Sequence, residues 1–115
     1  STREYLFIAT GTGIAPFHSF VKTYQDLSYR ILHGVRTEKE CYHAQDYLEG
    51  CYKACISRPV NGGEGQRVTD YIAHHPISPG TVVYLCGNKS MIIEAYELLL
   101  RSSISSDQIK TEVFF

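Results

Sequence analysis

The residues in this 115-residue chain best suited to chemistry are a pair of glycines and three arginines. Gly11 and Gly13 stand at alternate positions just after the apolar run from Tyr5 to Ala9, and Pro16 follows them. Glycines let a phosphate come close to the backbone, and a helix N-terminus offers unpaired N–H groups with a partial positive charge. The pair opens a G-x-G-x-x-G dinucleotide fingerprint, but Pro16 occupies the place of the third glycine. Two glycines after a strand are equally compatible with a plain tight strand-to-helix connection. Arg36, Arg58 and Arg67 are spaced so that each falls at the end of a predicted element. A guanidinium fork matches phosphate oxygens, so three of them together suit one anion, whereas each alone is an ordinary solvated cation.

The elements that must position these groups alternate in type. Tyr5 to Ala9 reads as a strand buried on both faces, and apolar residues at 17, 20, 21 and 24 have helical spacing behind Pro16, which suits a first helical turn. Tyr29 to Gly34 is a second strand. Thr37 is suited to cap a second helix, with Glu38 and Glu40 in its first turn, an inner face of Cys41, Ala44, Gln45 and Leu48, and Gly50 as its stop. Tyr52 to Ile56 is a shorter, more polar strand suited to the sheet edge. Residues 57–66, with Pro59 and the run Asn61-Gly62-Gly63-Glu64-Gly65, have loop composition. Val68, Tyr71 and Ile72 sketch a short helix. Val82 to Cys86 is the clearest strand, Gly87 turns it, and Met91, Ile92, Ala95, Leu98 and Leu99 share one face of the next helix. Ile109 to Phe115 alternates as a last strand. Strands alternating with helices predict an α/β fold, a doubly wound five-stranded parallel sheet.

Composition narrows the function classes. Apolar content of 43% and charged content of 20% fit one globular domain. A net charge of −1 argues against a nucleic-acid partner. Apolar runs stay near five residues where a bilayer span needs about 20, so no membrane insertion is expected. No signal peptide opens the chain, and a cytoplasmic location is expected. Cysteines at 41, 51, 55 and 86 and histidines at 18, 33, 43, 74 and 75 form no C-x-x-C or H-x-x-x-H pattern, so no metal site is expected.

Two longer strings are more specific. Gly11-Thr12-Gly13-Ile14-Ala15-Pro16, after Thr10, and Cys86-Gly87-Asn88-Lys89-Ser90-Met91 resemble the pyridine-nucleotide motifs of the ferredoxin–NADP reductase family, flavoenzymes that pair an FAD-binding barrel with an NAD(P) domain. The likeness runs from Tyr5 to Phe115. It implies the strand order 3-2-1-4-5, which makes the two strings opposite lips of a crevice where strand order reverses. Thr10, Gly11, Thr12, Gly13, Ile14, Ala15, Pro16, Cys86, Gly87, Asn88 and Met91 are then cofactor-binding. Taken alone, Cys86 is also a small buried hydrophobe. His33-Gly34-Val35-Arg36, Ser57-Arg58 and Arg67-Val68 resemble segments that hold the 2′-phosphate of NADPH, which implies that role for Arg36, Ser57, Arg58 and Arg67, and NADP as the coenzyme. The loop after Arg58 lacks the family's Lys-x-Tyr adenine segment, and Glu38 is the nearest acid for a free ribose 2′-hydroxyl, so NAD stays open.

The terminal Glu112-Val113-Phe114 resembles the family's acid-x-aromatic ending. That implies that Phe114 covers the flavin ring and that Glu112 lies beside the nicotinamide or in the proton path; a strand-end carboxylate and a packing ring are the plainer readings. With Cys86 these are the expected catalytic residues. The resemblance further implies an upstream FAD-binding barrel, absent from this sequence, that holds most of the FAD. A hydride would pass between NADPH and flavin, and electrons between flavin and ferredoxin, flavodoxin or a similar carrier. Alternatives are an NADH-dependent oxygenase-reductase component and a non-catalytic nucleotide-sensing module.

Overall fold

The computed structural model describes residues 3–112. Five parallel strands lie in the order β3-β2-β1-β4-β5, as expected from the sequence. They are β1 (Glu4–Thr10), β2 (Ser28–Val35), β3 (Tyr52–Ile56), β4 (Val82–Cys86) and β5 (Ile109–Glu112). The central strand β1 pairs with β2 on one side and β4 on the other, so Ala9 sits level with His33 and Cys86. Everything that follows these three positions leaves the sheet at the same end. That is the end where ligands bind in open sheets of this kind.

Alternation along β1 divides the core. Leu6 and Ile8 face α2 (Val68–His74) and α3 (Lys89–Arg101), packing with Val68, Ile72, Met91, Ala95 and Leu99. Phe7 and Ala9 face α1 (Ala15–Thr23), packing with Phe17 and Val21. Both faces of β1 are covered, which is why its sequence is continuously apolar. Phe7 is the hub of its side, with ring centroids 4.8 Å from Phe17, 5.7 Å from Phe20 and 5.7 Å from Tyr84.

The second helix predicted from Thr37 does not form. Residues 36–51 instead make two 3-10 turns, Glu38–Glu40 and Ala44–Asp46. The Thr37–Glu40 capping box is present but closes a single turn. His43 then takes a left-handed conformation (φ 58°), which an α-helix cannot continue through. Nor is the predicted inner face buried: Leu48 is 59% exposed, and its neighbour Tyr47 packs into the core at 7%. One large ring does the covering that a helical stripe would have done.

A Phe7→Ala substitution should lower unfolding free energy by about 3–5 kcal/mol in urea titrations. Ile93→Ser, at a position 51% exposed on α3, should stay within about 0.5 kcal/mol of the parent.

Candidate functional site

The site begins where β1 ends. Thr10 leads into a 3-10 turn, Gly11–Ile14, that runs straight into α1, with Pro16 in its first turn. Gly11 has a φ of +52°, and a side chain there would meet nothing within 4 Å. The bend is therefore open above its first glycine. Gly13 faces the opposite way: a Cβ would lie 2.7 Å from the Cys86 carbonyl oxygen and 2.9 Å from Gly87 Cα. No other residue fits between these backbones.

The second lip answers the first. Gly87 has a φ of +129°, and a Cβ on it would collide with the Thr10 hydroxyl. That hydroxyl accepts a hydrogen bond from the Asn88 N–H at 2.7 Å, joining residues 78 apart in sequence. The Asn88 side chain accepts from the Met91 N–H at 3.2 Å and so caps α3. One glycine bend, one hydroxyl and one cap thus hold the two strand ends together.

A third wall comes from β2, β3 and the start of α2. The Ser57 N–H donates to the Val35 carbonyl at 3.0 Å and the Arg58 N–H to the Arg36 carbonyl at 2.7 Å. The glycine-rich loop returns alongside β3, with the Gln66 N–H donating to the Ile56 carbonyl at 2.9 Å. Gly65 passes so close to the Ser57 carbonyl that a Cβ would collide with it. Arg67 is the N-cap of α2, and the Asp70 carboxylate accepts from its N–H at 2.9 Å.

Between these walls lies a cleft of about 1140 Å³. Thr10, Gly11, Thr12, Gly13, Ala15 and Pro16 line one side, Gly87, Asn88 and Met91 another, and Arg36, Ser57, Arg58 and Arg67 the third. Ile14 and Cys86 lie beneath it, 4% and 1% exposed, packed in the Phe7 cluster. The backbone of Glu112 pairs with Cys86 across β4 and β5. The Glu112 side chain and Phe114 lie outside the described residues.

Lining residues that the sequence pattern did not single out include Glu40, Cys55, Gln66 and Thr69. Glu40 is the consequential one. Its carboxylate accepts from the N–H groups of Arg36 at 2.8 Å and Thr37 at 3.2 Å, which hold its pKa below the ordinary range. Glu38, the acid favoured from sequence, turns away from the cleft and accepts from the Val60 N–H at 3.2 Å. Glu40 is held at the cleft as the N3 residue of the capping box that starts at Thr37.

His33, also overlooked, is fully buried under the bend. Its Nε2 lies 2.8 Å from the Gly11 carbonyl oxygen and its Nδ1 2.7 Å from the Tyr52 hydroxyl. A carbonyl only accepts, so Nε2 carries the proton and Nδ1 accepts from Tyr52. Burial lowers the pKa of His33, favouring this neutral form. The available signal was a single histidine inside an apolar strand, immediately before Gly34.

Residues 7–97 match the family described as the oxidoreductase NAD-binding domain. The chain belongs to that family. Among curated relatives, this NAD-binding domain is 28% identical over 116 residues to the carnitine monooxygenase reductase subunit of Escherichia coli K12, covering 99% of this chain and 36% of that protein. It is 27% identical over 128 residues to the reductase component of propane 2-monooxygenase from Rhodococcus jostii RHA1, covering 95% of this chain and 35% of that one. The chain thus spans about a third of the length of the curated relatives it matches. Its fold is shared with a ferredoxin NADP⁺ reductase from Neisseria gonorrhoeae solved with FAD and NADP, at a TM-score of 0.79 and 22% identity, covering 98% of this chain and 56% of that one.

The buried histidine makes the domain sensitive to pH. Its folded pKa lies below the ordinary value of 6.5, so the unfolded chain takes up that proton first and the folded state loses ground as pH falls below about 6.5. The urea midpoint should fall between about pH 7 and pH 5, and His33→Gln should flatten that fall. His33→Leu should instead cost about 1–3 kcal/mol for each of the two partners left unpaired.

Proposed function

We propose that this domain is the nucleotide-binding half of a flavin-dependent reductase and takes NADPH in its cleft. The observation that carries the reading is the joining of two lips directly beneath a cleft whose far wall bears three arginines. The open backbone above Gly11 and the start of α1 suit the pyrophosphate, which needs close N–H donors and no intervening side chain. Arg36, Ser57, Arg58 and Arg67 supply cations and a hydroxyl for the adenosine 2′-phosphate. Gly87, Asn88 and Met91 belong to the nicotinamide end, with Cys86 as its floor and Glu112 on the adjoining strand; the flavin-covering role of Phe114 rests on the family resemblance alone.

When bound, the nicotinamide supplies a hydride to a flavin carried mainly by a separate FAD-binding barrel of the same protein. The domain's own part is to orient and hold. A ferredoxin, flavodoxin or similar carrier receives the electrons. The names of the two curated relatives favour an oxygenase system as their destination. By itself the chain binds nucleotide and turns nothing over.

Glu40 favours a second reading, NADH as coenzyme. A carboxylate at the end of β2 is placed to accept from a free ribose 2′-hydroxyl. Against it stand three arginines on the same wall.

Calorimetric titration with both coenzymes separates the readings. Arg58→Ala should weaken NADPH by about 1–3 kcal/mol while leaving NADH nearly unchanged; equal losses would discard the 2′-phosphate role. If Glu40→Gln weakens NADH alone, the ribose reading prevails. In the complete flavoprotein, Cys86→Ala should slow single-turnover flavin reduction more than it weakens nucleotide binding, and an unchanged rate would remove Cys86 from the site.

A further inference from the structure

On the α1 side of the sheet, away from the cleft, three side chains meet that no sequence spacing would pair. His18 comes from α1, and His43 and Asp46 come from the connector between β2 and β3. His18 Nε2 lies 2.9 Å from Asp46 Oδ2, and His43 Nδ1 lies 3.6 Å from the same oxygen. The three donor atoms all fall within 4.8 Å of one another. The left-handed backbone at His43 brings its ring back over His18, with centroids 4.3 Å apart.

We propose that His18, His43 and Asp46 form a binding site for a divalent transition-metal ion of the zinc type. Two imidazoles and a carboxylate are a donor set that zinc accepts, and hard ions such as magnesium prefer oxygen alone. Ligand atoms about 2.0–2.2 Å from a tetrahedral ion stand roughly 3.4 Å apart. The two measured separations bracket that spacing, so small side-chain rotations bring the donors into place. Asp46 Oδ2 already faces the His18 ring nitrogen, and the metal would take the place of the hydrogen between them.

Access and shape agree with this. Side-chain exposure runs from 19% at His18 through 31% at Asp46 to 60% at His43, leaving a path for the ion and room for a water as fourth ligand. Beneath them the buried Tyr47 ring meets His18 edge-on at 5.8 Å, holding that imidazole in orientation. None of the three ligands lines the cleft. Lys22 is the competing cation near Asp46, but it offers no reason for two imidazoles to converge there. A bound ion would fasten α1 to the connector that carries Arg36 and Glu40.

The test uses the 115-residue chain, stripped with chelator and titrated calorimetrically at neutral pH with zinc chloride. Single-site uptake is expected, with no heat from magnesium chloride and a rise in melting temperature with zinc. Cobalt chloride should give the visible bands of a tetrahedral nitrogen–oxygen site without a thiolate charge-transfer band. His18→Ala should abolish uptake, as should His43→Asn, which keeps a residue that tolerates the left-handed backbone. A Cys41→Ser/Cys51→Ser pair and a His74→Ala/His75→Ala pair should bind as the parent does. No zinc uptake, uptake surviving in folded His43→Asn, or uptake lost in either control pair would overturn the proposal.

Discussion

The structure depends on a contact between two pieces of backbone with nothing between them. Gly13 lies against the end of β4 at a distance that excludes even a methyl group, and Gly87 lies against Thr10 in the same way. The Asn88 N–H closes the joint on the Thr10 hydroxyl. Side chains cannot hold two strand ends this near, because any Cβ would push them apart. The cleft exists because the backbone floor is continuous and side chains are confined to the walls.

From that joint the architecture follows outward. The bend must be supported from below, and His33 does so from a neighbouring strand, with its second nitrogen anchored on Tyr52 in a third. A single imidazole on β2 therefore ties the bend after β1 to the first residue of β3. Its neutral form is the one that satisfies both partners, and burial favours it. The glycine loop after β3 is likewise pinned at its base rather than left to wander, since Gly65 lies flat against Ser57. Its arginines enter the cleft from tethered backbone.

Much of this was legible in the sequence, and for identifiable reasons. A strand buried on both faces must be continuously apolar, so β1 and β4 stood out, and the glycine strings marked where they end. The connector of residues 36–51 differs from the predicted helix because helix periodicity and an N-terminal cap are local signals. A single residue in a left-handed conformation stops the helix after its capped first turn, and nothing in the letter His at position 43 announces it. The His18–His43–Asp46 group was invisible for the same reason, since its proximity depends on that break. His33 carried a weak signal, a polar residue within an apolar run. What it bonds to is a matter of register between strands, which spacing along one strand does not encode.

The far end of the sheet tells a complementary story. The segments that enter β2, β4 and β5, residues 24–27, 75–81 and 102–108, contribute nothing to the cleft. Two of them are fastened to each other, with the Gln108 amide donating to the carbonyls of Pro79 at 2.6 Å and Thr81 at 2.8 Å. The 24–27 turn is closed locally, its Leu27 N–H donating to the Tyr24 carbonyl at 3.3 Å, and it caps a helix whose other terminus carries the bend. Evolution is thus free to lengthen or decorate the chain at that turn, acquiring new attachments on the rear of the molecule while the coenzyme face keeps its shape.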